Sequence, residues 1–155
     1  MLMRTLTLFI FITLSVPSPT LAGELLVITG KETSEKKYFK KKIANIFLRE
    51  RLINQHGERW IPVNLASHHP LRKIFTEKLL DQYPEELENY WNIKYFQGIS
   101  PPYVVNSQEA MLRFVTTTPN AIGYISSCFK NNNVKVIFRI AFKDDKTQKC
   151  NDLKR

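Results

Sequence analysis

From residue 64 to residue 72 the chain reads Asn-Leu-Ala-Ser-His-His-Pro-Leu-Arg, at a point where a strand-like pattern gives way to a helical one. The start of a helix presents backbone N–H groups with no intrahelical acceptor, together with the positive end of the helix dipole, and so suits an anion. Ser67 adds a hydroxyl, His68 or His69 an imidazole N–H, and Arg72 a two-pronged guanidinium, with Asn64 beside them. Asn64, Ser67, His68 and Arg72 are therefore the candidate anion-binding residues. A plainer alternative uses the same residues structurally: Ser67 caps the helix and Arg72 pairs with a carboxylate such as Glu77. The other helix starts suit an anion less, because Glu85 and Glu86 crowd the one at Pro84 and Glu109 the one at Ser107.

Catalytic chemistry has little footing. The histidines are His56, His68 and His69, and no HExxH, GxSxG or CxxC motif occurs. Adjacent side chains at a helix start diverge, so His68 and His69 make a poor metal pair. The carboxylates Glu85, Glu86 and Glu88 suit a helix dipole and solvent better than acid–base work. The expectation is a protein that is not an enzyme and that holds no metal or other cofactor.

Residues 1–22 carry the features of a secretory signal peptide. Arg4 supplies a small positive region, and the uncharged stretch Leu6–Val16 follows. Pro17 and Pro19 break that stretch, and Thr20-Leu21-Ala22 places small residues where a signal peptidase cuts. The stretch is shorter than the roughly 20 apolar residues a membrane span needs. Residues 23–155 are then one mature domain in the periplasm or outside the cell. An exported location makes nucleic acid a poor partner.

In an oxidising compartment, Cys128 and Cys150 are expected to pair. Such a bridge closes a loop of about 20 residues and adds about 3 kcal/mol in the chain-entropy picture. The formal charge of the whole chain is +9. It is unevenly spread: residues 31–60 hold nine basic and four acidic side chains, 126–155 hold eight and three, and 61–125 five and six. Such a field attracts anions or lipid head groups, or serves only as a solvated face.

Several elements must position the 64–72 segment. Glu24–Thr29 is an apolar run that suits a buried strand. Thr33 or Ser34 is placed to cap a helix reaching about Arg51, with Phe39, Ile43, Ile46 and Phe47 on one face and lysines 36, 37, 40, 41 and 42 mostly on the others. Trp60–Val63 is a second strand, and Pro62 within it either places the strand at an edge or restricts which backbone side can pair. Helices follow from about His69 to Asp81, with the stripe Leu71, Ile74, Phe75 and Leu79, and from Pro84, with Leu87, Tyr90, Trp91 and Tyr95. Residues 98–103 read as loop or extended chain. Ser107 caps a further helix whose Ala110, Met111, Phe114 and Val115 face inward. Ala121–Ser126 and Val134–Phe142 are strands separated by an asparagine turn, and the charged tail begins at Lys143. The alternation indicates an α/β layer fold with about four strands and flanking helices.

The order of these residues resembles a known family. Trp60 followed by Pro62-Val63, a polar turn opening a helix with a central Phe75, Tyr90-Trp91 ahead of Phe96-Gln97-Gly98, Pro101-Pro102-Tyr103-Val104, a helix capped by Ser107, and Pro119-Asn120-Ala121-Ile122-Gly123-Tyr124 are similar to the second half of the phosphate-binding, type 2 periplasmic solute-binding proteins. The closer likeness is to short, single-lobe exported proteins of the phosphate ABC transporter substrate-binding group. The resemblance implies a single α/β lobe, phosphate or another small anion as ligand, and a role in transport or sensing. It also implies that Trp60, Phe75, Trp91, Phe96, Phe114 and Tyr124 are mostly buried. Where the family has an Arg followed by a Ser-Gly-Thr turn, this chain has Asn64 to Arg72, and the opposite lobe is missing. A second role follows from that departure: an interaction module that kept the lobe and lost the ligand, contacting a partner protein or pairing as a homodimer that completes the cleft.

Overall fold

In the computed structural model, residues 22–33 and 38–143 are described. The signal segment up to Leu21, Ser34, Lys36, Lys37 and the tail with Cys150 lie outside the described residues. Strand β1 (Ala22–Gly30) is followed by helix α1 (Lys40–Phe47), β2 (Ile61–Leu65), α2 (Pro70–Leu79), α3 (Pro84–Phe96), β3 (Tyr103–Val105), α4 (Gln108–Thr117), β4 (Ala121–Ser126) and β5 (Val134–Lys143). Ala22 already belongs to β1. The five strands form one sheet in the order β3-β2-β4-β1-β5. That is one strand more than expected, because the short β3 pairs where the sequence read only extended chain.

The parallel pairs β2–β3 and β2–β4 form one half of the sheet, and β1 runs antiparallel to both β4 and β5 in the other. Helices cover both faces, which is why Leu25 to Ile28 of β1 are all buried without alternation. On one face Phe75 of α2 stacks on Tyr124 of β4, with ring centroids 4.0 Å apart and planes 7° apart, and Phe47 of α1 packs against Phe75 at 4.5 Å. On the other face α4 lays Met111 and Val115 over Gly123. A side chain at residue 123 would collide with Met111, so glycine is what lets this helix sit close. Asn120, which opens β4, has φ 58°, a left-handed conformation that asparagine tolerates.

Three expectations change. Of the two readings of Pro62, the edge strand fails, since β2 lies between β3 and β4, and the restriction on which backbone side can pair holds. Ile61 donates to the Asn120 carbonyl of the β4 side at 3.1 Å, whereas pairing with β3 begins only at Val63. Successive residues point their N–H groups to opposite sides, so the donor that Pro62 lacks faces the stretch of β2 where β3 has not yet begun. Helix α1 is shorter than expected: its N-cap is Phe39, in extended backbone with no side-chain cap, which leaves that ring outside the helical stripe and exposed. It ends through Leu48 and a left-handed Arg49 at φ 60°.

The third change concerns the aromatics. Trp60, Phe75 and Tyr124 are fully buried, but Trp91 and Phe114 are only half-buried, and Phe96 is 90% exposed. At about 100° per residue, Phe96 lies half a turn round the helix from Leu87, nine residues earlier, which is the face of α3 that meets the core. Tyr95 is exposed as well. Tyr90 anchors the helix instead, its hydroxyl donating to the Leu48 carbonyl at 2.6 Å.

Candidate functional site

The parallel strands end at Leu65, Val105 and Ser126, and α2 and α4 begin just beyond the first two of these ends. Ligands of open α/β sheets sit at such carboxyl ends. Pro70 fixes the first turn of α2, and His69 is its N-cap: the imidazole Nδ1 accepts from the Leu71 N–H at 3.2 Å. His69, not Ser67, therefore caps the helix. Burial, and after it the neighbouring His68, draw the His69 imidazole below its ordinary value, while Glu109 opposes them. A neutral ring is what this cap requires, since a doubly protonated one has no acceptor. The N–H of His69 goes to the Ala66 carbonyl at 3.0 Å, and that of Arg72 to the His69 carbonyl at 2.8 Å. Pro70 has no N–H to give. The first-turn donors are thus engaged within the chain, and side chains carry what the site can offer.

Arg72 lies on the first turn of α2, and its guanidinium charge acts on the Tyr124 phenol. The phenol oxygen accepts from the buried Leu65 N–H at 3.2 Å. Burial pushes the Tyr124 hydroxyl up to about 12, with Arg72 and the Leu65 N–H acting against the rise, so it remains a neutral phenol in the physiological range. Glu77 does not pair with Arg72; it lies 3.8 Å from Lys73. Among the described residues no carboxylate forms an ion pair with Arg72, and its Nη1 is buried without a hydrogen-bond partner. Asn64, next to Leu65 on β2, is buried too, and its Oδ1 lacks a partner.

Of the four candidate residues, Asn64 lies buried near the end of β2 and Arg72 on the first turn of α2, whereas Ser67 and His68 are exposed on the turn between β2 and α2. Two contributors were not evident in the sequence. Tyr124 is recognisable there as a core aromatic, but nothing local reveals that its hydroxyl accepts from the Leu65 N–H, 59 residues earlier. Nothing in the sequence singles out Gln108; its side chain is buried and accepts from the Ser126 N–H at 2.7 Å, fastening the start of α4 to the end of β4. Cys128 follows directly, on the short turn Ser127–Phe129, with its N–H on the Ser126 hydroxyl at 3.3 Å. Among the described residues no three His, Cys, Asp or Glu side chains gather as a metal site, and no helix is long and apolar enough to cross a membrane.

This arrangement is the fold of one lobe of a phosphate-type substrate-binding protein of ABC transport. Neither a protein-family model nor a curated protein sequence matches the chain. Solved structures do. A phosphate ABC transporter substrate-binding protein from Clostridium perfringens, crystallised with phosphate bound, superposes with a TM-score of 0.62 at 18% identity, over 75% of this chain and 44% of that one. An ABC-type phosphate transport receptor from Vibrio cholerae gives 0.59 at 18% identity, over 76% and 47%. PstS from Borrelia burgdorferi gives 0.59 at 17%, over 75% and 47%. The chain thus spans less than half the length of the proteins it resembles. These neighbours are transport substrate-binding proteins rather than enzymes.

Proposed function

We propose that this protein is exported, acts in the periplasm or outside the cell, and binds phosphate or another small anion where β2 ends and α2 begins, in transport or sensing. One observation carries the reading. The charge of a guanidinium acts on a buried, neutral phenol, no carboxylate pairs with that guanidinium among the described residues, and one of its nitrogens is buried with no acceptor. A buried donor of this kind costs about 1–3 kcal/mol if left unmet, and more when charged, so an oxyanion at Arg72 relieves a standing cost. Asn64 supplies an acceptor beside it, of use to an anion that itself carries a proton. Ser67 and His68, exposed on the turn, are the groups able to close over the ligand from outside. The likeness to lobes that bind phosphate in other proteins supports phosphate as the first ligand to test.

Calorimetric titration of the purified protein with phosphate, sulfate and small organic acids is the test. Arg72→Ala weakens binding at least tenfold, equivalent to about 1.4 kcal/mol, and leaves the far-ultraviolet circular dichroism unchanged. Unaltered affinity in that variant removes this site, and no binding by the parent removes the reading.

A specific observation favours a second reading as well. The amides of the first turn of α2 are spent internally, while Ile93, Tyr95 and Phe96 of α3 and Tyr103 and Val104 of the edge strand β3 are exposed. That combination suits an interaction module that contacts a partner protein or a second copy completing the cleft. A dimeric mass in solution, with no heat from any anion, decides for it.

A further inference from the structure

Trp60 lies at the opposite end of β2 from Arg72. Its backbone is fully engaged: the N–H goes to the Leu52 carbonyl at 2.8 Å, and its carbonyl accepts from Arg49 Nη1 at 3.4 Å. Its side chain is only 1% exposed, yet the indole N–H has no acceptor. Arg49 Nε is buried and lacks one too. Both groups can donate and neither can accept, so no rearrangement between the two satisfies them. An acceptor has to come from elsewhere.

Glu50 and Glu58 neighbour Arg49 and Arg59 in the chain, and Glu58 is turned to Asn54, whose amide donates to its carboxylate at 2.9 Å; the groups that act on Arg49 itself are cationic and aromatic. Arg59 precedes Trp60 and is exposed, as is Tyr103 at the start of β3. Burial and the nearby Arg59 charge draw the Arg49 guanidinium below its ordinary value, and Tyr103 acts the other way. No carboxylate figures among the groups that act on Arg49. Two like charges held together beside two unmet donors are what an oxyanion stabilises.

We infer that Arg49, Arg59 and Trp60 form a second oxyanion site that takes a phosphate group, at the end of the sheet away from Arg72. Arg49 and the Trp60 indole N–H supply the inner donors, and Arg59 approaches from solvent. The phosphate group has two possible sources, the free ion and an anionic lipid headgroup. Ile53, which bridges to Arg59, is exposed, as is Tyr103, so an apolar and an aromatic side chain lie near the guanidinium groups as a membrane surface would require. This site stands independently of the proposal for Arg72.

The indole N–H resonance of Trp60 reports on the site directly, and Trp91→Phe leaves it as the only indole signal. Inorganic phosphate at constant ionic strength is titrated into this protein and into the same protein carrying Arg72→Ala. A saturable shift of the Trp60 resonance is expected in both. Arg59→Gln, at an exposed position that does not endanger folding, weakens the effect at least tenfold, and Arg49→Gln abolishes it. Co-sedimentation with phosphatidylglycerol vesicles, against phosphatidylcholine vesicles as control, is measured on the same variants. A response to phosphate assigns the free ion; a response only to phosphatidylglycerol, lost in Arg59→Gln, assigns the headgroup. A resonance unmoved by phosphate with no selective vesicle binding overturns the inference, as does a response that Arg59→Gln leaves intact.

Discussion

Replacing Tyr124 by Phe removes one oxygen atom and keeps everything else the ring does. The stack on Phe75, 4.0 Å between centroids, and the contact with Phe47 survive, so the change tests the hydroxyl alone. One donor loses its acceptor: the Leu65 N–H, in a residue that is fully buried. A buried backbone N–H left unmet costs about 1–3 kcal/mol, so Tyr124→Phe costs about 1–3 kcal/mol. Each kcal/mol lowers the melting temperature of a domain this size by about 3–5 °C, which places the variant about 3–15 °C below the parent. Urea unfolding followed by circular dichroism measures the free energy, and an unchanged slope shows that the native fold is kept. The pH dependence supplies a second readout. The folded phenol titrates at about 12 and an unfolded one at about 10, so above pH 10 the unfolded state releases a proton that the folded state retains. Stability from this group is complete below pH 10 and is lost as pH rises toward 12, and Tyr124→Phe lacks that loss. A variant as stable as the parent, with the same alkaline profile, refutes the bond from the Leu65 N–H to the Tyr124 hydroxyl.

The His69 cap gives a dependence at the acidic end. Its folded value is lowered, so as pH falls below the unfolded value of about 6.5 the unfolded state takes up a proton first and stability drops; His69→Asn, an equally good N-cap, removes that step from the pH profile of the melting temperature. Phe75→Ala costs about 3–5 kcal/mol, whereas Trp91→Ala, at a half-buried position, costs less than half as much; equal costs in urea unfolding mean that α3 packs more deeply than described. Thiol counting on the unreduced, denatured protein finds no free thiol if Cys128 and Cys150 are bridged, and two if they are not.

What the sequence discloses and what it withholds divide along the range of the interactions involved. Helix boundaries set by Pro70, Pro84 and Ser107 are legible because proline and a capping hydroxyl act on the backbone within one turn, and each lies at or next to the start of its helix. Ala121–Ser126 is legible because a fully buried run has no other economical conformation. Pro62 left two readings open, an edge strand or restricted pairing on one side, and the sequence could not choose because a missing N–H matters only if a neighbouring strand is there to use it, and the extent of β3 is not written near Pro62. Phe96 failed for a different reason: the family pattern fixes its place in the order of residues, whereas exposure depends on its angle about α3. The candidate site shows both limits. Asn64 and Arg72 are identifiable from residue type and from their place about the end of a strand and the start of a helix. Tyr124, whose neighbours in the chain are all apolar or glycine up to Ile125, is not identifiable in that way, and only the parallel crossover that sets β4 beside β2 brings its hydroxyl to the Leu65 N–H at the end of β2. Charge therefore points to the candidate site in the sequence, but the neutral phenol on which that charge acts is a property of the sheet.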